Sequence, residues 1–378
     1  MSQKLRQQVV SAAKSVVVKV GTSVLSNDDD TLDVGRIASL VEQVYLIRQS
    51  GRKVVIVTSG AVGAGIGLLG LSGRPRDLPH LQAAAATGQA HLMRVYNDCL
   101  EKHDYKAAQL LLTANDFRTR ERYLNLRNTL STLFEYPVVP IINENDTVSI
   151  EEIKFGDNDQ LASMVNNLMD ESLLIILSVI DGLFAGDPRS PDSKLLRLVD
   201  HWDDSLLGLA TDSKSKRGTG GMHSKLQSVR RATEVGDSVI IANGKTPDIL
   251  TRLIAGEELG TLFLAQGEPL PAWKRWIGYT VAPAGKVHID QGATEALIKK
   301  GRSLLAIGIT RIEGEFETGD VVSICSPGGI EIGRGLTNYT HREAQLIRGR
   351  RTEDIATILG DTPYDEVIHR DNLAVIVS

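Results

Sequence analysis

Polar residues directly follow several apolar runs of the chain, where they could bind a phosphorylated ligand. Lys19 lies inside the apolar run Ser15–Val20, and Gly21 follows that run. A lysine in such a run loses hydration unless it meets an anion, and a glycine lets the backbone turn sharply beside it. The pattern fits phosphate binding, and it equally fits a lysine that extends to solvent at a strand end.

Ser59 opens a second candidate segment, the small-residue stretch 59–67 (SGAVGAGIG), after the apolar run Lys53–Thr58. Small residues let a ligand approach the backbone and the N-terminus of a following helix. The spacing does not match the dinucleotide fingerprint G-x-G-x-x-G. A tightly packed strand-to-helix turn would have the same composition, so this segment alone indicates little.

Two segments rich in Asn and Asp are the most informative part of the chain. Asn143 and Asp146 belong to the first (INEND), and Asn158 and Asp159 belong to the second (GDND). Such side chains supply the donors and acceptors that the ammonium and carboxylate groups of an amino acid require. Solvated Asx-turns or a helix N-cap would use the same residue types. We expect the second segment to cap a helix and also to bind a ligand.

A glycine-rich stretch, residues 218–225 (GTGGMHSK), opens a predicted helix with Lys225 in its first turns. Consecutive backbone amides and a lysine can surround and neutralise an anion, whereas a bare helix N-terminus favours acidic residues. A flexible surface loop would contain the same glycines. A second lysine motif, Gly244–Thr246, is not a P-loop, because Val239 stands where that motif needs its first glycine.

These residues must be positioned by a layered α/β domain. Short Val- and Ile-rich runs alternate with helical patterns such as Leu32–Gln49 and Lys225–Val235. Strands that are apolar on both faces are typical of a parallel sheet covered by helices. The predicted strands are 15–20, 53–58, 137–142, 172–179 and 238–242.

The 378 residues suit two domains. We predict an α/β domain over 1–265, a proline-containing linker over 266–284, a small, mostly β domain of barrel type over 285–362, and a C-terminal segment over 363–378. In the third region, the predicted strands include KVHID and GRSLLAIGI (residues 301–309).

Bulk properties argue against several classes of function. The net charge of −5 and the 4% aromatic content argue against nucleic-acid binding as the main role. The two cysteines are too few for a disulfide framework, and no Cys/His cluster has metal-ligand spacing. Without an unbroken apolar leader or a membrane-length apolar run, we expect a soluble cytoplasmic protein.

Taken together, the segments resemble the amino-acid kinase family. They are, in order, VVVKVGTSVL, VVIVTSGAVGAG, PVVPIINENDTV, KFGDNDQLA, DGLFAGDPR and GTGGMHSKLQ. The region from about Gly285 to Asp361 resembles a PUA domain. The resemblance implies a layered α/β/α kinase domain with a mainly parallel sheet, followed by a PUA-like barrel. It also implies ATP-dependent phosphorylation of the γ-carboxylate of L-glutamate, with Mg²⁺, as the first step of proline synthesis.

The resemblance also implies roles for individual residues. Lys19 would contact the ATP phosphates, Lys225 would stabilise the transferring phosphoryl group, and Asp159 would orient both lysines. The residues implied in substrate binding are Ser59, Asn143, Asp146 and Asn158. Those implied in nucleotide binding are Lys19, Ser178, Val179, Thr219, Gly220, Gly221, Met222, His223, Ser224 and Lys225. No residue is implied as a metal ligand.

One position departs from the family pattern. The family has Asp where this chain has Val179, so Val179 would contact the nucleotide through its backbone alone. This difference leaves the affinity for ATP open.

The resemblance implies a homo-oligomer, a dimer or a tetramer, that proline inhibits by feedback, and a labile product that could pass directly to glutamyl phosphate reductase. Related kinases act on aspartate, N-acetylglutamate, carbamate or nucleoside monophosphates. The Asn- and Asp-rich segments INEND and GDND are the feature that discriminates between these substrates. A different class of function is RNA binding, because PUA domains elsewhere bind RNA. Salt-dependent affinity for RNA would support that alternative.

Overall fold

The computed structural model describes residues 2–27, 29, 31–148, 158–190, 192–210, 221–267, 270–360 and 364–376. The chain divides into two compact units. The first contains Met1–Asp116 and Arg120–Pro269, and the second contains Phe117–Thr119 and Leu270–Ser378.

The first unit is built on an eight-stranded sheet with the strand order β3-β4-β2-β1-β5-β9-β10-β8. Every neighbouring pair is parallel except β9 and β10. The strands are β1 (Ser15–Val20), β2 (Lys53–Val57), β3 (Lys106–Leu112), β4 (Val138–Glu144), β5 (Ser172–Ser178), β8 (Leu198–Val199), β9 (Ser238–Asn243) and β10 (Thr261–Phe263). A separate antiparallel pair consists of β6 (Phe184–Ala185) and β7 (Lys194–Leu195). The predicted α/β class with a mainly parallel sheet is confirmed.

Helices flank this sheet, and most of them bury apolar side chains. They are α1 (Ser2–Ala12), α2 (Thr22–Leu25), α3 (Val34–Gln49), α4 (Ala61–Leu68), α5 (Leu78–Leu100), α6 (Arg120–Leu133), α7 (Asn158–Leu168), α8 (Ser205–Gly208), α9 (Met222–Glu234) and α10 (Ile249–Ile254). Short 3₁₀ turns cover Glu101–His103 and Ala114–Phe117. The central strands are almost fully buried, because apolar side chains from helices cover their apolar residues.

Two helix boundaries differ from the sequence prediction. Helix α3 begins at Val34 rather than at Leu32, because Leu32 pairs with Ser26 in an isolated β-bridge. The Asp33 side chain caps the helix by accepting a hydrogen bond from the Arg36 amide at 2.8 Å. The second, α9, begins at Met222 rather than at Lys225, so that Lys225 lies in its first turn.

The second unit contains a five-stranded sheet with the order β12-β11-β13-β14-β15. Its strands are β11 (Gly285–Ile289), β12 (Ile309–Gly314), β13 (Val321–Cys325), β14 (Glu331–Leu336) and β15 (Leu373–Val375). Its helices are α11 (Ala272–Arg275), α12 (Gln291–Lys300), α13 (His341–Ile347) and α14 (Thr352–Leu359), with a π-helical turn at Trp276–Thr280 and 3₁₀ turns at Ala306–Gly308 and Arg370–Asn372.

The strand predicted over 301–309 is wrong. There, Leu304 forms only an isolated bridge to Ile368, and a 3₁₀ turn precedes β12. The buried residues of this unit form their own apolar core, which includes Val287, Ile324 and Tyr339. In the part of the chain that the structure describes, no helix has the length and apolarity needed to cross a membrane.

Candidate active site

A buried carboxylate shared by two lysines lies at the carboxyl ends of the parallel strands. Lys19 is the second-last residue of β1, where it pairs in register with Val57 of β2 and Ile176 of β5. Its Nζ lies 2.7 Å from Asp159 Oδ1, and Lys225 Nζ lies 3.0 Å from Asp159 Oδ2. Because the three side chains together carry one formal positive charge, the group suits a site that receives an anion.

Burial of these three charged side chains carries a desolvation cost. Asp159 has 0% exposure, Lys19 6% and Lys225 7%. Asp159 also lies in the first turn of α7, where the helix dipole favours a negative charge. Three elements that are distant in the sequence, β1, α7 and α9, therefore hold the two ammonium groups close together.

A cluster of amide side chains lies beside this group, at the ends of β2 and β4. Asn158 Nδ2 donates to the Thr58 carbonyl at 2.6 Å, to Asn143 Oδ1 at 2.8 Å and to Ser59 Oγ at 3.2 Å. The structure thus brings together three of the four residues implied in substrate binding. The fourth, Asp146, is also buried and lies in the turn after β4.

The sequence analysis missed Gln89, which belongs to the same cluster. Asn143 Nδ2 donates to Gln89 Oε1 at 2.7 Å, and Gln89 is a buried residue of α5. In the sequence, Gln89 stands among small residues (AAAATGQA) of a segment far from every motif. The signal available was an amide on a buried helix face that otherwise carries small, apolar and aromatic residues.

The strand-to-helix turn that presents Ser59 depends on two special features. Gly60 has φ of +100°, a left-handed conformation that glycine adopts at little cost. Beneath it, Thr58 Oγ1 and the Tyr96 hydroxyl lie 2.9 Å apart. Burial raises the pKa of Tyr96, so that this phenol remains neutral and can share a hydrogen bond with Thr58.

Apart from Lys19, the described residues implied in nucleotide binding lie at β5 and at the start of α9, on the other side of β1 from the amide cluster. Ser178 ends β5 and is half-buried, and Val179 follows it with 38% exposure. Gly221 is the N-cap of α9, and Ser224 Oγ donates to its carbonyl at 3.1 Å. Met222 and His223 begin α9, and the His223 side chain is exposed. Thr219 and Gly220 lie outside the described residues, as does Asp157.

Within the described ranges, no three His, Cys, Asp or Glu side chains are grouped as a metal site. Asp159, the most buried carboxylate of the site, contacts lysines instead.

Comparison with known proteins shows which family the chain resembles. The model of the amino acid kinase family matches residues 14–243, and that of the PUA domain matches residues 285–359. The chain is 46% identical to a glutamate 5-kinase of Caldanaerobacter subterraneus subsp. tengcongensis, over 96% of this chain and 97% of that protein. It is also 46% identical to a glutamate 5-kinase of Geobacter sulfurreducens, over 98% of this chain and 100% of that protein.

Among solved structures, a carbamate kinase from Giardia lamblia bound to AMP-PNP is similar, with 18% identity and a TM-score of 0.47 over 68% of this chain and 100% of that one. Because the family model spans more than half of the chain and the curated relatives align with nearly all of it, the chain belongs to the amino acid kinase family.

Proposed function

We propose that this chain uses ATP to phosphorylate the γ-carboxylate of L-glutamate, giving L-glutamyl 5-phosphate for proline synthesis. The observation that carries the proposal is the pair of buried lysines on one carboxylate beside a cluster of buried amides. The two relatives described above, which are named glutamate 5-kinases, support the choice of substrate.

The chemistry needs little besides positioning and charge neutralisation. A γ-carboxylate oxygen attacks the γ-phosphorus of ATP, a new P–O bond forms, and the bond to the β-phosphate oxygen breaks to release ADP. A carboxylate with an ordinary pKa of about 4.3 is ionised at neutral pH, so no general base is required. The barrier comes from bringing two anions together, and fixed positive groups lower it.

In this proposal, each charged side chain has a separate task. Lys19 contacts the ATP phosphates from the end of β1, and Lys225 stabilises the phosphoryl group during transfer. Asp159 forms an ion pair with Lys19 at 2.7 Å and accepts a hydrogen bond from Lys225 at 3.0 Å, and so holds the two ammonium groups at a fixed separation. Because the lysines are held in place before the substrates bind, their ammonium groups need not reorient during phosphoryl transfer.

The acceptor and the nucleotide occupy opposite sides of this lysine pair. Ser59, Asn143, Asp146 and Asn158 bind the amino acid, with Asp146 suited to its ammonium group. Residues Thr219 to Lys225 and the backbone at Ser178 and Val179 bind ATP. Mg²⁺ bound together with ATP would add positive charge at the phosphates, because this ion is commonly held by substrate phosphates, several waters and only one or two carboxylates.

The proposal extends to the setting in which the enzyme works. It acts in the cytoplasm as a homo-oligomer, a dimer or a tetramer. Proline, the end product, inhibits it by feedback. Because an acyl phosphate hydrolyses readily, its transfer to glutamyl phosphate reductase would protect the product.

A coupled assay of ADP release tests the proposal. Mg-ATP is supplied with glutamate, aspartate, N-acetylglutamate, carbamate or UMP in turn, and hydroxylamine traps any acyl phosphate as a hydroxamate. We expect ADP release and a trapped hydroxamate with glutamate. Turnover with another member of the panel would reassign the substrate, and no turnover with any of them would contradict the kinase proposal.

A further inference from the structure

Three amide side chains form a continuous hydrogen-bonded chain across the part of the site that is proposed to bind the amino acid. Asn158 Nδ2 donates to Asn143 Oδ1 at 2.8 Å, and Asn143 Nδ2 donates to Gln89 Oε1 at 2.7 Å. All three side chains are buried, with exposures of 3%, 2% and 9% from Asn158 to Gln89.

Backbone contacts fix the direction of this amide chain. The Thr58 carbonyl can only accept, so the atom of Asn158 that lies 2.6 Å from it must be the NH₂ group. The Glu144 amide can only donate, so the atom of Asn143 that lies 2.9 Å from it must be the oxygen. With both asparagines oriented, the atom of Gln89 that faces Asn143 must be Oε1, and Nε2 occupies the other position.

Each end of the amide chain then has one unused polar atom. Among the residues that the structure describes, Gln89 Nε2 and Asn158 Oδ1 are buried and have no hydrogen-bond partner. A buried polar group without a partner is costly, and a ligand that supplies the partner recovers that cost. The Gln89 end offers a donor and the Asn158 end offers an acceptor, which matches a ligand with both a carboxylate and an ammonium group.

The strand order indicates which carboxylate of the amino-acid substrate would lie near Gln89. Lys19 lies on β1, and Asn143, the partner of Gln89, lies on β4, with β2 between them. Two strand spacings amount to about 10 Å, which is comparable to an extended amino dicarboxylate with a hydrogen bond at each end. The γ-carboxylate must lie near the lysines to react, so the α-carboxylate lies towards Gln89.

We propose that Gln89 Nε2 donates a hydrogen bond to the α-carboxylate of the acceptor and thereby restricts the enzyme to substrates with a free α-carboxylate. This inference depends on the proposed function, in which the γ-carboxylate receives the phosphoryl group. Gln89 Oε1 has a second task, because it accepts from Asn143 and holds that side chain in place.

The test compares L-glutamate with its α-amide, L-isoglutamine, which keeps the ammonium group and the reacting γ-carboxylate. When NH₂ replaces an α-carboxylate oxygen, this NH₂ group faces Gln89 Nε2. Two hydrogen-bond donors then lie opposite each other. We expect the wild-type enzyme to prefer glutamate by about 10- to 100-fold in kcat/KM, the range for a lost hydrogen bond to a charged group.

Gln89→Glu is the informative variant, since it keeps an oxygen for Asn143 and exchanges only the donor for an acceptor. We expect its preference for glutamate over the α-amide to fall to about one or to reverse, while the KM for ATP stays unchanged. Gln89→Met, which has a similar shape and no strong donor, should lose the preference as well. Gln49→Glu, on an exposed position at the end of α3, is the matched control and should keep the wild-type ratio.

A purely structural role would give a different result. If Gln89 only supported Asn143, both substrates would weaken equally in the variants and the ratio would stay at the wild-type value, which would overturn the inference. Calorimetric binding of both amino acids without ATP separates this question from the chemistry. Discrimination in binding without turnover would contradict the proposed phosphoryl transfer and leave the role of Gln89 standing.

Discussion

At the scale of single residues, the group formed by Lys19, Asp159 and Lys225 suits a reaction that needs positioning and charge neutralisation. Buried charges seldom add stability, because their desolvation cancels much of their attraction. A carboxylate at 0% exposure with lysines at 2.7 and 3.0 Å is therefore better explained by a role in a reaction between two anions than by a role in stability. Its value lies in the transition state, where negative charge shifts onto the leaving oxygen.

Lys225→Ala tests this interpretation. We expect kcat to fall by about 100- to 1000-fold, the usual effect of removing one preorganised group that stabilises transition-state charge. The KM for glutamate should change by less than about threefold, since the amide cluster proposed to bind glutamate is intact. Steady-state kinetics with each substrate in turn measures both values.

Lys14→Ala is the matched control for Lys225→Ala. Lys14 also pairs with one carboxylate, Glu171 at 2.8 Å, but it precedes β1 at the opposite end of the sheet and its side chain is 75% exposed. Its removal should leave kcat unchanged and cost at most about 1 kcal/mol of unfolding free energy. A Lys225→Ala enzyme with normal kcat and only a raised KM for glutamate would contradict the proposed role.

Sequence reasoning located most of the residues that meet at the candidate site and missed Gln89. Lys19, Ser59 and Asn143 stand at the ends of apolar runs, and parallel strands bring such ends to one edge of a sheet. Gln89 stands in the middle of a helix, so its neighbours depend on how that helix packs rather than on a strand end. Its role emerges only from the contact with Asn143 at 2.7 Å.

At the scale of elements, the close packing of α4 on α5 positions both Ser59 and Gln89. A Cβ at Gly88 would lie 1.9 Å from the Ala61 carbonyl oxygen and 2.4 Å from the Gly65 amide. A Cβ at Gly65 would lie 1.8 Å from the Ala84 carbonyl oxygen. The two helix backbones are therefore in direct contact, which only glycine allows at these positions.

Gly88→Ala should separate the two helices. We expect a loss of about 1–3 kcal/mol or more in unfolding free energy, because the methyl group meets backbone that cannot rotate away. The KM for glutamate should rise as well, since Ala61 follows the turn at Ser59 and Gln89 is the next residue after the substitution. Urea denaturation and kinetics measure the two effects.

Gly73→Ala provides the comparison for Gly88→Ala. No atom lies within 4 Å of a Cβ at Gly73, and its φ is not positive. That variant should fold with unchanged or slightly raised stability, because alanine restricts the unfolded chain. Equal stability of the two variants would show that α4 and α5 can move apart without cost.

The main strands of the first unit could be predicted because they are apolar on both faces and end at polar residues. Strands β3, β8 and β10 of the sheet were not predicted, and β8 has only two residues. β3 (Lys106–Leu112) is an edge strand whose residues are mostly not fully buried, so its pattern is weak. β10 has three residues, too few for a pattern, and it depends on its pairing with β9 and β8.

At the scale of the whole molecule, each unit has an apolar core and one buried cysteine. Cys99 lies in the core of the first unit with 5% exposure, and Cys325 ends β13 in the second unit with 3% exposure. Burial raises the pKa of both thiols, which lowers the fraction of reactive thiolate near pH 8. Labelling of either cysteine therefore requires local or global opening of its own unit.

This arrangement lets one experiment test where the substrates bind. Mg-ATP or glutamate, each added alone at a hundredfold excess over its Kd, should slow the labelling of Cys99 by up to about 100-fold, because a ligand stabilises the unit that binds it. Labelling of Cys325 should keep its rate, since the residues proposed to bind both substrates all belong to the first unit. Mass spectrometry of peptides after timed exposure to a thiol reagent measures both rates in one sample. Equal slowing at the two cysteines would show that the units open as one cooperative structure, and slowing at Cys325 alone would place a substrate site in the second unit.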